Sequence, residues 1–234
     1  MSQPRLVLFD IDCTLLRTGG AGMAALSQAL CQILEGAPPQ SAVPPCGQTD
    51  PNIVRAMLRE AGLPSSRWGE VESRLLEVYP ELLAEELQRR RPESRLERGV
   101  QRLVEDMHAH PEFRLGVLTG NLEVTARMKL DVFGLNPYFP IGAFGSDCAD
   151  RNRLGPVALE RARRHYACEF SQVWFIGDTH HDILAARACG ARVLAVATGS
   201  STRDRLQEFC PDHCLDHLEA VDEVVQLLLG SMPG

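Results

Sequence analysis

The stretch that most constrains this chain is Leu6-Val7-Leu8-Phe9-Asp10-Ile11-Asp12, close to its N-terminus. Four apolar residues running into acid predict a short, fully buried strand of the kind found inside a parallel sheet. Ligands bind outside the carboxyl ends of the strands in such sheets, so Asp10 and Asp12 stand where chemistry is usually done. Two carboxylates one residue apart repel when both ionise, and a hard divalent cation is their natural guest. The same ending recurs twice. Val173-Trp174-Phe175-Ile176-Gly177 runs into Asp178 and Asp182, and Leu115-Gly116-Val117-Leu118 runs into Thr119, Gly120 and Asn121. Three strand ends thus offer acid, hydroxyl and acid.

The rest of the chain divides in two. From Leu16 to Glu93 the apolar spacing is helical with no strand signal: a Gly-rich turn over 17–22, helices over 22–34, 50–61 and 68–90, and a Pro-rich loop over 36–45. Asp50 followed by Pro51 reads as a helix N-cap with proline at the first helical position. From Glu97 helix and strand alternate, as a doubly wound sheet requires: helix to His110, strand 113–118, helix 122–133, strand 139–144 and helix 156–165 come first. The strand into Asp178, helix 182–189, strand 192–196 and helix 218–229 complete the alternation. The expected fold is α/β: a Rossmann-like doubly wound parallel sheet from 1–15 and 96–234, with a helical segment of residues 16–95, which cannot join the sheet, inserted after the first strand.

A net charge of -7 argues against a nucleic-acid partner, and an anionic substrate has to be drawn by local positive charge. No apolar run reaches membrane-spanning length, and the first is interrupted at Asp10; the expected location is the cytoplasm, as a monomer or homodimer. Eight cysteines without a Cys-x-x-Cys pair fit reduced thiols. Cys210, His213, Cys214 and His217 have the residue types of a zinc site, but the stretch reads better as a turn and short edge strand.

Asp-x-Asp-x-Thr-Leu at 10–15, Leu-Thr-Gly-Asn at 118–121 and Gly-Asp-Thr-x-x-Asp at 177–182, in this order, resemble the haloacid dehalogenase superfamily, and within it the phosphoglycolate-phosphatase-like hydrolases. The resemblance implies a magnesium-dependent phosphatase acting on a small phosphorylated metabolite through an aspartyl-phosphate. Asp10 is then the nucleophile and Asp12 the general acid and base. Asp10, the carbonyl of Asp12 and Asp178 are the implied magnesium ligands, with Asp182 behind them. Thr119, Gly120 and Asn121 bind the phosphoryl group. The usual lysine is absent from 150–154, where Arg151, or Arg153 at nearly the same spacing, replaces it. Thr49, Asp50 and Arg55 are candidates for substrate contact, with helix capping as their alternative. Cys13 stands where glycine is commonest. Asp12 argues against a dehalogenase, whose leaving group needs no proton, and the absence of lysine from 16–95 argues against a phosphonate hydrolase. A sugar-phosphate mutase uses the same two aspartates and remains the alternative. A non-catalytic phosphate-binding protein is disfavoured because Asp10, Asp12 and Asp178 are all present.

Overall fold

The computed structural model of the protein describes residues 3–36 and 44–230. Its strands are β1 (Arg5–Phe9), β2 (Leu16–Thr18), β3 (Ser94–Leu96), β4 (Phe113–Leu118), β5 (Ile141–Ala143), β6 (Gln172–Gly177), β7 (Arg192–Val196) and β8 (His213–Leu215). Six of them make one sheet in the order β5-β4-β1-β6-β7-β8, parallel throughout. The N-terminal strand is therefore central, flanked by β4 and β6, which explains why all of Leu6–Phe9 is apolar: both faces are covered.

The helices are α1 (Ala21–Leu34), α2 (Asp50–Glu60), α3 (Trp68–Arg89), α4 (Val100–Ala109), α5 (Glu123–Asp131), α6 (Leu154–Tyr166), α7 (His180–Ala188), α8 (Arg203–Gln207) and α9 (Val221–Leu229). Val7 and Phe9 point into a cluster with Leu103 of α4, Leu130 of α5 and Val224 of α9. Leu6 and Leu8 point the other way, towards Ala158 of α6, Ile183 of α7 and Leu206 of α8. This alternation is the doubly wound arrangement the sequence predicts. The helices α1, α2 and α3 close on a cluster of their own, with Leu26, Leu30, Val54, Leu58, Leu75 and Leu83 at its centre. Among the described residues no helix is long and apolar enough to cross a membrane.

The structure corrects several sequence expectations. Leu16–Thr18 is strand, not turn, and pairs antiparallel with Ser94–Leu96. Three residues are too few to show a period, and the partner is far away in sequence, so no hairpin signal announces the pair. The N-cap of α2 is Thr49, whose hydroxyl accepts from the Asn52 amide at 3.4 Å; Asp50 and Pro51 follow inside the helix. Short α8 carries too few residues to stand out. The Pro-rich loop falls largely outside the described residues. His213–Leu215 is the expected short edge strand, and His213 stacks on Trp174 at 5.9 Å. Among the described residues, the group of metal-type side chains that converge on one point is Asp10, Asp178 and Asp182, with no such group formed by Cys210, His213, Cys214 and His217.

Candidate active site

The Asp10 amide continues the β1 ladder by donating to the Ile176 carbonyl at 2.9 Å, which holds the Asp10 carboxyl at the mouth of the sheet. The chain then folds back sharply. The carbonyl of Ile11 accepts from the amides of Leu15 at 2.9 Å and Leu16 at 3.1 Å, and Cys13 at the tip takes φ +64°. A side chain in that left-handed region costs about 1 kcal/mol that glycine does not. Cys13→Gly is accordingly expected to raise unfolding stability by about 1 kcal/mol in a denaturant titration, an upper estimate because glycine also adds freedom to the unfolded chain. Burial, reinforced by Asp178, pushes the Cys13 thiol up to about 12. It therefore remains a protonated, unreactive thiol at neutral pH.

Asp178 follows β6, and Asp182 lies in the first turn of α7. Thr179 and Asp182 form a capping box: the Asp182 carboxylate accepts from the Thr179 amide at 3.0 Å and from its hydroxyl at 2.8 Å. That cap turns Asp182 inward, so that oxygens of Asp10, Asp178 and Asp182 lie within 4.8 Å of one another, all buried. Gly199 backs the cluster, where a Cβ would lie 1.7 Å from Asp178 Oδ2. Arg151, opening a short 3-10 turn, reaches into it, donating to Asp10 Oδ1 at 2.9 Å, to Asp182 Oδ1 at 2.5 Å and to the Gly47 carbonyl at 3.2 Å. Arg153, the other possibility from sequence, is exposed.

One guanidinium does not balance three buried carboxylates. Desolvation, against the pull of Arg151, raises Asp10 to about 7, and desolvation with the nearby Asp182 and Asp10 raises Asp178 to about 8. An acid whose native value lies above its unfolded value stabilises the fold while protonated and ceases to as pH rises through the native value. Metal-free protein is thus expected to lose thermal stability between pH 5.5 and 8 more steeply than its Asp178→Asn variant, a difference scanning fluorimetry can measure.

Thr119 and Asn121 end β4. The Asn121 side-chain amide donates to Thr119 Oγ1 at 2.8 Å, which leaves the threonine proton free to donate into the cavity, and to Asp12 Oδ2 at 2.7 Å. Gly120 passes under the loop before α2: a Cβ there would meet the Gln48 carbonyl oxygen at 2.0 Å. Its carbonyl accepts from the Asp50 amide at 2.7 Å, and Asp50 Oδ2 accepts from the Leu122 amide at 3.0 Å. Asp50 is buried and lines the cavity, with desolvation raising it to about 6. Thr49 caps α2 and donates to the Ala149 carbonyl at 2.7 Å, while Arg55 is paired with Glu72 at 2.6 Å. Neither Thr49 nor Arg55 is among the described residues that line the cavity.

Three cations of the cavity wall, Arg17, Arg95 and Lys129, were not anticipated from sequence. Arg17 is engaged by Glu97 and the Thr198 carbonyl. Lys129 of α5 is buried and donates to Asp12 Oδ2 and Asn121 Oδ1, both at 2.7 Å. The signal for Lys129 was its position at helical spacing with Leu122, Ala126 and Phe133, a lysine on an apolar face. Together these groups line a cavity of about 490 Å³ with an apolar wall of Leu16, Met23, Ile53 and Tyr79. It has room for a small ester and places acid, hydroxyl and cation around one point.

A sheet of this order carries three carboxylates at its carboxyl edge with a helical layer above, and comparison with known proteins shows what it resembles. Residues 152–221 match the family model described as HAD-hydrolase-like. A haloacid dehalogenase-like family hydrolase from Streptococcus pneumoniae superposes with a TM-score of 0.65 at 18% identity, covering 97% of this chain and 99% of that one. Over residues 152–221 and in its fold, the chain is similar to the haloacid dehalogenase superfamily. Within it, the chain is similar to the phosphoglycolate phosphatase of Vibrio parahaemolyticus, 24% identical over 223 residues that span 94% of this chain and 96% of that protein. It is also similar to the pyrophosphatase PpaX of Halalkalibacterium halodurans, 26% identical over 127 residues. That match spans 54% of this chain and 58% of the pyrophosphatase, so the chain is matched to little more than half the length of that relative.

Proposed function

We propose that this protein is a magnesium-dependent phosphatase that hydrolyses a small phosphate monoester of the phosphoglycolate or sugar-phosphate type through an aspartyl-phosphate. The observation that carries the reading is the buried triad of Asp10, Asp178 and Asp182 held against Arg151, with the Asp12 carboxyl and the Thr119 hydroxyl at the same cavity. In this reading residues 1–15 and 96–234 form the catalytic core and 16–95 the cap that encloses the substrate.

Asp10, oriented by the Arg151 bond to its Oδ1, supplies the attacking carboxylate oxygen. It forms a bond to phosphorus as the ester P–O bond breaks, and Asp12 gives its proton to the departing alkoxide. Water then attacks phosphorus, passing a proton to Asp12; the Asp10–phosphorus bond breaks and inorganic phosphate leaves. Arg151, the Thr119 hydroxyl and the amides of Gly120 and Asn121 bind the phosphoryl oxygens. The all-oxygen donor set of Asp10, Asp178 and the Asp12 carbonyl, with Asp182 behind it, fits magnesium. When bound, magnesium offsets the excess carboxylate charge and withdraws electron density from the phosphoryl oxygens.

The test is phosphate release from a panel of small phosphate esters, with magnesium and with chelator. Magnesium-dependent turnover that the chelator abolishes is expected, and the ranking of esters identifies the substrate type. A folded protein that binds magnesium and releases phosphate from none of them overturns the phosphatase reading in favour of a mutase or a binding protein.

A further inference from the structure

The chain holds 24 basic residues of the Lys and Arg type and uses arginine for all but one of them. The single lysine, Lys129, is 3% exposed and lies inside the cavity wall. Its ammonium closes a triangle. It donates to Asp12 Oδ2 at 2.7 Å and to Asn121 Oδ1 at 2.7 Å, while the Asn121 amide donates to the same Asp12 Oδ2 at 2.7 Å. Two donors therefore saturate one oxygen of Asp12, and among the described residues the other, Oδ1, has no partner. The Asp12 side chain is 42% exposed, towards the cavity.

The choice of lysine has a steric reason. A Cβ on Gly22 of α1 would lie 3.1 Å from Lys129 Nζ, so the ammonium takes space that a side chain at that position of α1 would fill. A planar guanidinium needs more room and spreads its donors in one plane, whereas an ammonium presents three from a single point. Burial works against the charge, but Asp12 and Asp50 outweigh it and leave the Lys129 pKa raised.

We propose that Lys129 is a positioning residue that, with Asn121, pins Asp12 Oδ2 and leaves Oδ1 as the oxygen exchanging a proton with the leaving group. This rests on the phosphatase reading and on Asp12 as its acid. Lys129 acts through Asp12, so its removal damages a substrate in proportion to how much that substrate's leaving group needs a proton.

The experiment compares kcat/KM, which reports steps up to formation of the phosphoenzyme, for ethyl phosphate and para-nitrophenyl phosphate. Ethoxide needs protonation and nitrophenolate does not. Lys129→Met is expected to lose about 10²-fold on ethyl phosphate and less than about tenfold on the aryl ester. Asp12→Asn shows the same selectivity more strongly, and adding Lys129→Met to it leaves the ratio between the esters unchanged. Lys129→Gln carries the same comparison if the methionine variant does not fold. In 15N-lysine protein the one side-chain ammonium resonance shifts in Asp12→Asn. Equal losses on the two esters while Asp12→Asn discriminates between them, or an ammonium signal indifferent to Asp12→Asn, overturns the proposal. If Asp12→Asn itself fails to discriminate, the assignment of Asp12 as the acid is what falls, and the proposal falls with it.

Discussion

Asp10→Asn is expected to reduce phosphate release by at least about 10³-fold, because in the proposed mechanism an amide oxygen does not form the phosphoenzyme. The same change is expected to leave the fold as stable as before or more so. An asparagine still offers Arg151 an acceptor at the position of Oδ1, and it removes a carboxyl whose charged form burial disfavours, as its rise to about 7 shows. The gain should grow from pH 5.5 to pH 8, since the wild-type carboxyl is protonated at the lower value and forced to ionise at the higher. Activity lost together with a melting temperature kept or raised is the signature of a group held for chemistry at the expense of stability. A single preparation assayed for phosphate release and for thermal unfolding at both pH values tests this. An inactive variant that also melts early at pH 8 contradicts the account of Asp10 given above.

Arg151→Met should behave in the opposite way. Arg151 is 7% exposed and binds carboxylates from two elements that are far apart in sequence, Asp10 on the β1 edge and Asp182 at the start of α7. Removing one side of a buried ion pair leaves the other charged and unpaired, typically a loss of about 3–5 kcal/mol. Both turnover and stability therefore fall. The stability loss is expected to be smaller at pH 5.5 than at pH 8, because a proton on Asp10 takes over part of what the guanidinium did. Urea unfolding of wild type and variant at the two pH values measures the difference. Equal losses at both would show that the arginine acts through packing and not through charge.

Much of this was legible in the chain because the strands end in their chemistry. An apolar run that stops at Asp10, at Thr119 or at Asp178 states both that the strand is buried and what stands at its mouth, and parallel pairing of β4, β1 and β6 aligns those mouths. Asp182 follows from its place in the first turn of a helix. Long-range pairing was not legible. Leu16–Thr18 becomes strand only because Ser94–Leu96 returns beside it, and Lys129 meets Asp12 only because α5 packs over the loop after β1. Thr49 and Arg55 stand near the right loop in sequence, yet the structure gives them Ala149 and Glu72 as partners, and neither partner is implied by local spacing.

The bonds between Asp50 and the stretch 120–122 carry a consequence for access to the cavity. The helical layer meets the sheet region at the β2–β3 ribbon on one side and, on the other, through the Asp50 amide on Gly120, the Leu122 amide on Asp50, Thr49 and Asn52 on Ala149 and Arg151 on Gly47. In the proposed reading of 16–95 as a cap, the ribbon of three residue pairs is where the cap turns and the bonds to 120–122 and Ala149 hold it shut. A substrate too large to enter a shut box must wait for those bonds to release, at a cost of about 1 kcal/mol for each hydrogen bond. Release is expected to speed exchange of the two amide protons with water, which hydrogen exchange at Asp50 and Leu122 measures. A single residue, Asp50, thus ties the start of α2 to 120–122 twice, through its amide and through its carboxylate.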